Sequence, residues 1–185
     1  MTSRRKFLQQ GSVGILSIFA LPAISLASNS RSAAFRGLIV SDEEGEAVRG
    51  RDGSAIIRIK AAKTQGAESV SFVAESFRPG DEIPVHKHSN EDEFIFLHHG
   101  SGLFTLGENE YPIKEGAFAL VPKGTWHGLK NTGTENIEMR FGYSPAGFEG
   151  YFREVGTPVG LPFVPKTKEE RKAIAKKWGM IFKDL

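Results

Sequence analysis

The sequence predicts an all-β chain, a barrel or sandwich of short strands, with one short helix at its C-terminal end. Three observations predict it. From Gly37 to Tyr143 the chain is a series of short apolar runs broken by Gly, Pro, Asn and Asp. Helical periodicity is confined to the C-terminal segment. The 185 residues, 39% hydrophobic and 25% charged, suffice for one hydrophobic core and hardly for two.

The chain opens with a basic head, an apolar stretch from Val13 to Ala20 that extends to Leu26, and small residues at Ser25 and Ala27. This is the plan of an export signal over residues 1–27, cleaved after Ala27; the apolar stretch is short of the ~20 residues of a membrane span, and a retained anchor is the other reading. Ser3, Arg4, Arg5, Lys6, Phe7 and Leu8 resemble a bacterial twin-arginine signal, which implies a translocase that carries folded proteins and a periplasmic or secreted destination. A general secretory signal with an incidental arginine pair is the alternative. Residues 28–36 are polar and featureless, and read as a flexible leader.

Strands are expected at 38–40, 55–60, 69–77, 93–98, 103–106, 117–121 and 137–143, with turns at RDGS, 51–54, and RPGD, 78–81. These make a barrel domain over 37–155. In the C-terminal segment, 156–185, Thr167 followed by Glu170 forms a capping box and Gly179 suits the residue after a helix end. Ile174 and Trp178, four apart, share the face that docks this helix on the barrel.

Two classes of chemistry are excluded at once. The chain has no cysteine, so any metal is held by nitrogen and oxygen. Its net charge is +2, with the basic excess at the two ends and no basic stripe interleaved with aromatics, which excludes nucleic acid as a partner.

VHKHSNEDEF, 85–94, holds the strongest signal. Side chains alternate along a strand, so His86 and His88 project to one side, ~6 to 7 Å apart along the chain. SNED lets the chain bend back and bring Glu93 to the same place from the next strand. Alone, the histidine pair reads equally as two unrelated side chains. Its context is more specific: G(X)5HXH(X)4E(X)6G runs from Gly80 to Gly100, and G(X)5PXG(X)2H(X)3N runs from Gly116 to Asn131 through Pro122, Gly124 and His127.

These two stretches resemble both signature motifs of the cupin superfamily, and the surrounding EDEF, PAGF and GFEGYFREVGTP are similar to small single-domain cupins related to quercetin 2,3-dioxygenase. The resemblance implies a cupin-type β-barrel, a double-stranded β-helix or jelly-roll. Its interior would hold one divalent transition metal, Fe, Mn, Ni, Co or Zn, on His86, His88, Glu93 and His127. Neutral imidazoles with one carboxylate suit such ions better than Ca or Mg. Glu93 would serve both as ligand and as catalytic base.

Ile95, Leu97, Phe104, Met139 and Phe141 are the expected pocket wall, Ile137 and Tyr143 sharing the inward face of the last strand by alternation, with Trp126 a weaker candidate. Phe94 and Phe96 fall on the face opposite Glu93, which suggests packing under another sheet or across a homodimer. Parity from Glu93 turns His99 inward and His98 outward, the pair reading as a polar strand end. The resemblance implies a metal-dependent dioxygenase acting with O2 on a small phenolic or enol-like substrate. The alternatives are a periplasmic protein that binds a small molecule or metal without turnover, and a cupin isomerase or decarboxylase.

Overall fold

The computed structural model describes residues 37–50 and 52–184. The expected export signal, 1–27, and leader, 28–36, lie outside the described residues. Within them the strands are β1 Glu46–Gly50, β2 Ala55–Ala61, β3 Phe72–Phe77, β4 Glu82–His88, β5 Asp92–His99, β6 Ser101–Leu106, β7 Asn109–Lys114, β8 Phe118–Val121, β9 His127–Lys130 and β10 Ile137–Ser144. Then follow helix α1 Glu149–Val155, β11 Thr157–Pro158, helix α2 Lys168–Lys177 and β12 Met180–Phe182. No helix among the described residues is long and apolar enough to cross a membrane.

Two antiparallel sheets face each other, one in the order β11-β1-β2-β3-β10-β5-β8, the other β12-β4-β9-β6-β7. The alternation that predicts strands is the alternation that closes the core. On β10, Ile137, Met139, Phe141 and Tyr143 are buried while Glu138 and Arg140 lie outward; on β5, Glu93, Ile95 and Leu97 are buried and Phe96 is exposed. Residues of both inner faces, such as Val73, Phe77, Phe104 and Leu129, complete one cluster. Phe94 lies across from Gly142 on β10, and a β-carbon at Gly142 would fall on the Phe94 ring and on the Ser71 carbonyl oxygen. That close approach half-buries Phe94, whereas its strand neighbour Phe96 stays exposed.

The expectation at 38–40 is not met. Leu38 and Ile39 are exposed and irregular, and the chain enters the sheet at β1 instead. The strand expected over 69–77 begins only at Phe72. The C-terminal segment also does more than pack a helix on a finished barrel: β11 pairs with β1 and β12 with β4, so it adds an edge strand to each sheet.

The capping box of α2 forms as expected, Thr167 Oγ1 accepting from the Glu170 amide at 3.1 Å and the Thr167 amide donating to Glu170 Oε2 at 2.7 Å. Gly179 follows the helix at φ 74°. Ala175 and Trp178 pack on the barrel core. Trp178 also covers Gly150 of α1 and donates from Nε1 to Glu154 Oε2 at 2.8 Å, so α2 docks on α1 as well.

Candidate metal centre

Register places the four expected donors at one end of the barrel. His86 and His88 are alternate residues of β4, and His127 opens β9 directly across from His86. Glu93 comes from the opposite sheet, on β5 between Val121 of β8 and Tyr143 of β10. The turn after Pro122 delivers His127: Gly124, at φ 81°, donates its amide to the His88 carbonyl at 2.7 Å, a backbone conformation that a side chain would strain.

Each residue offers one donor atom, and all four lie within 4.8 Å of one another. His127 Nε2 stands 2.7 Å from Glu93 Oε2, His88 Nε2 stands 3.3 Å from the same oxygen, and His86 Nε2 and His88 Nε2 are 3.2 Å apart. Two donors at right angles, each ~2.1 Å from a common ion, would stand ~3.0 Å apart, so these separations fit a first-row metal. The donors are 2% to 6% exposed.

The outer ring nitrogens support the same fit. His86 Nδ1 donates to the Pro84 carbonyl at 2.8 Å and His127 Nδ1 to the Thr125 carbonyl at 3.0 Å, which turns both Nε2 atoms inward. His88 departs from this pattern: its Nδ1 is buried without a hydrogen-bond partner, as is one oxygen of Glu91, Oε2.

Without an ion, protons fill the centre. Burial pushes the His86 imidazole down to about 3, and the neighbouring His127 and His88 push the same way, so it is neutral at pH 7. Burial opposes ionisation of Glu93, but the hydrogen bonds from His127 and His88 outweigh it and hold the carboxyl far below its ordinary range. His127 is the counterpart: burial pulls it down, Glu93 pulls harder, and the net shift is upward from 6.5. Burial, with the Glu93 charge beside it, raises the Tyr143 phenol well above 10 and keeps it protonated.

The residues expected as pocket wall, Ile95, Leu97, Phe104, Met139 and Phe141, are all in the packed core, none more than 4% exposed. The rings beside the donors are others. Phe148 lies 4.3 Å and Tyr143 5.1 Å from the His88 ring, and Phe182 lies 6.1 Å from His86. Tyr143 belongs to the alternation expected to face inward from Ile137, and of that series it is the residue whose ring reaches the donors. Trp126 lies under the Lys87 ammonium, 4.6 Å from the ring centre. His99 does not turn inward: it is exposed between Glu115 at 3.1 Å and Glu135 at 3.2 Å. The pairing of β5 with β10 shifts there, from Leu97 to His99, and the parity counted from Glu93 ends at that irregularity.

A cavity of about 590 Å³ lies elsewhere, on the outer face of the seven-stranded sheet among Arg58, Ser76, Glu138 and Arg140. Its arginines are paired, Arg58 with Glu43 and Arg140 with Asp42, and it holds none of the four donors. The convergence of buried donors marks the site.

Residues 73–142, which contain all four donors, match the Cupin domain family. Over that stretch the chain is similar to a cupin domain. The chain is 31% identical to auxin-binding protein 1 of Arabidopsis thaliana over 99 residues, 49% of this chain and 50% of that protein. It is 28% identical to protein SchB of Streptomyces halstedii over 95 residues, 51% of this chain and 69% of that protein. The chain thus spans about half the length of the auxin-binding relative. Among solved structures, a predicted oxalate decarboxylase from Thermotoga maritima superposes with a TM-score of 0.52 at 22% identity, covering 58% of this chain and 99% of the other. KdgF from Halomonas sp. gives 0.54 at 17% identity, covering 62% and 98%. These two likenesses are of fold alone, and they agree with the all-β, jelly-roll barrel expected from the motifs.

Proposed function

We propose that His86, His88, Glu93 and His127 hold one divalent transition metal and that the cupin is a metal-dependent oxidoreductase. In its finer form the reading is a dioxygenase-type enzyme, similar to quercetin 2,3-dioxygenase-like proteins, acting with O2 on a small phenolic or enol-like substrate. The observation that carries it is the convergence of three imidazole nitrogens and one carboxylate oxygen, with neighbouring donors 2.7 to 3.3 Å apart. When bound, the metal supplies Lewis acidity that lowers the pKa of a substrate hydroxyl.

The chain's own groups supply the rest. Glu93 takes the hydroxyl proton. As the protein stands, two donated hydrogen bonds keep that carboxylate weakly basic. In the metal-bound protein both imidazoles would offer their Nε2 lone pairs to the ion, and Glu93 would accept the proton once its carboxylate swung off the ion. Tyr143, Phe148 and Phe182 keep the centre poor in water.

Elemental analysis together with O2 uptake tests this reading. About one Fe, Mn, Ni or Co per chain is expected, with O2 uptake on phenolic substrates that follows metal content; His86→Ala and His127→Ala each lower that content sharply. No stoichiometric metal, or unchanged content in both variants, sinks it. A second reading is a protein that binds a small molecule or metal without turnover. It is favoured by the near-complete burial of the donors and by the likeness to auxin-binding protein 1. Stoichiometric metal with neither O2 uptake nor conversion of phenolics and small acids would select it, whereas anaerobic conversion would select an isomerase or decarboxylase.

The arginine pair supports export by the twin-arginine translocase to the periplasm, which Arg4→Lys with Arg5→Lys should abolish. A second copy of the chain is the proposed partner of the apolar strip on the outer face of β5 and β8, where Phe96, Phe118 and Leu120 are 41%, 63% and 60% exposed.

A further inference from the structure

With the donors so nearly closed off, a ligand reaches them past whichever neighbouring element is least firmly built in. Strands β4, β9, β5 and β10 each have a hydrogen-bonded neighbour on both sides. Strand β12 does not. It is a three-residue edge strand, outside residues 73–142 that match the family.

Its register sets Met180 across from His88 and Phe182 across from His86, so both side chains share the donors' face. Ile181, between them, points away and is 45% exposed. Backbone bonds at each end hold the strand, Ser89 amide to Gly179 carbonyl and Lys183 amide to Val85 carbonyl, both 2.9 Å. The Phe182 ring, half-buried and 6.1 Å from the His86 ring, stands on the edge-strand side of that ligand. On another side the His127 ring is 4.2 Å away and belongs to the centre itself. Phe148 and Tyr143, over His88, are packed into the core and leave no comparable margin.

We propose that Phe182 is the specificity-determining wall of the site, the side chain that sets how large a ligand fits beside His86. The inference rests on the metal-centre reading above. A small anion passes such a wall with little penalty; a flat aromatic anion competes with the ring for the same volume. Removing the ring admits the second and leaves the first nearly unchanged.

Cobalt(II)-loaded protein tests this, its visible absorption titrated with azide and with benzoate in the parent, Phe182→Ala, Phe182→Leu and Ile181→Ala. Phe182→Ala is expected to strengthen benzoate binding relative to azide about tenfold. Phe182→Leu should shift the ratio in the same direction by less, and Ile181→Ala should match the parent. An unchanged ratio in Phe182→Ala, with cobalt still at one per chain, overturns the inference and leaves the metal centre standing. If that variant fails to fold by circular dichroism, Phe182→Leu decides by the same criterion. A parent that takes up no cobalt overturns the metal-centre reading and this inference with it.

Discussion

Replacing His127 with alanine in the metal-free protein asks whether Glu93 is ionised inside the barrel. In the parent, Glu93 Oε2 accepts from His127 Nε2 at 2.7 Å and lies 3.3 Å from His88 Nε2, with both side chains of the shorter pair at most 6% exposed. His127→Ala leaves the carboxylate with the longer contact alone. Removing one partner of a buried ion pair costs about 3 to 5 kcal/mol, because the other charge stays behind without compensation. Against the ~5 to 15 kcal/mol stability of an ordinary domain, that is a large fraction. Glu93→Gln keeps an acceptor and lets His127 go neutral, so about 1 to 3 kcal/mol is expected. The double variant should be more stable than the sum of the two losses by about 1 to 3 kcal/mol, the coupling of a charged pair in contact. Urea denaturation of the four metal-stripped proteins at pH 7 measures all three quantities. A His127→Ala loss under about 1 kcal/mol, with additive effects in the double variant, would refute the ionised pair.

Three further outcomes are expected. Gly142→Ala should lower stability by about 1 to 3 kcal/mol, since its new β-carbon falls on the Ser71 carbonyl and the Phe94 ring; unchanged urea unfolding would show that β10 and Phe94 separate freely. The Glu115 and Glu135 carboxylates raise the His99 pKa from 6.5, so the stability this group adds is complete below pH 6.5 and fades as pH rises through the raised value. An NMR titration should place its midpoint above 6.5 in the parent and lower in Glu115→Gln, and a parent midpoint at or below 6.5 would contradict this. Light scattering should give twice the chain mass for the parent and the single mass for Leu120→Lys, whereas a monomeric parent would remove the dimer.

The donor set is legible in the sequence through the two cupin-like motifs; parity on β4 aligns His86 and His88, but alone it leaves them equally two unrelated side chains. The long alternating strands β5 and β10 and the capped helix α2 are legible from local geometry by itself. Strands β1 and β7 escape because they are mostly polar or exposed, and the shortest pieces because they have too few residues to show a period. Strand β12 is three residues and β11 two, held by the partner edge that tertiary folding brings to them. Helix α1 begins after Phe148, which offers no side-chain cap, so nothing in EGYFREV announces it. Its Phe148 and Phe152 are buried against the barrel, and that burial stabilises the helix. The pocket wall is misplaced for a related reason. Alternation identifies which residues point inward but not their depth, and Leu97 and Met139 pair two steps or more down the strands from Glu93 and Tyr143.

Three donors belong to one sheet and the fourth to the other, with 34 residues separating Glu93 from His127. An ion on all four would therefore act as a rivet through the sandwich. It would recognise the closed barrel and not the open chain, and at a free concentration a hundredfold above its dissociation constant it would add about 2.7 kcal/mol to folding. Thermal unfolding as a function of added metal would then report whether the two sheets are correctly joined.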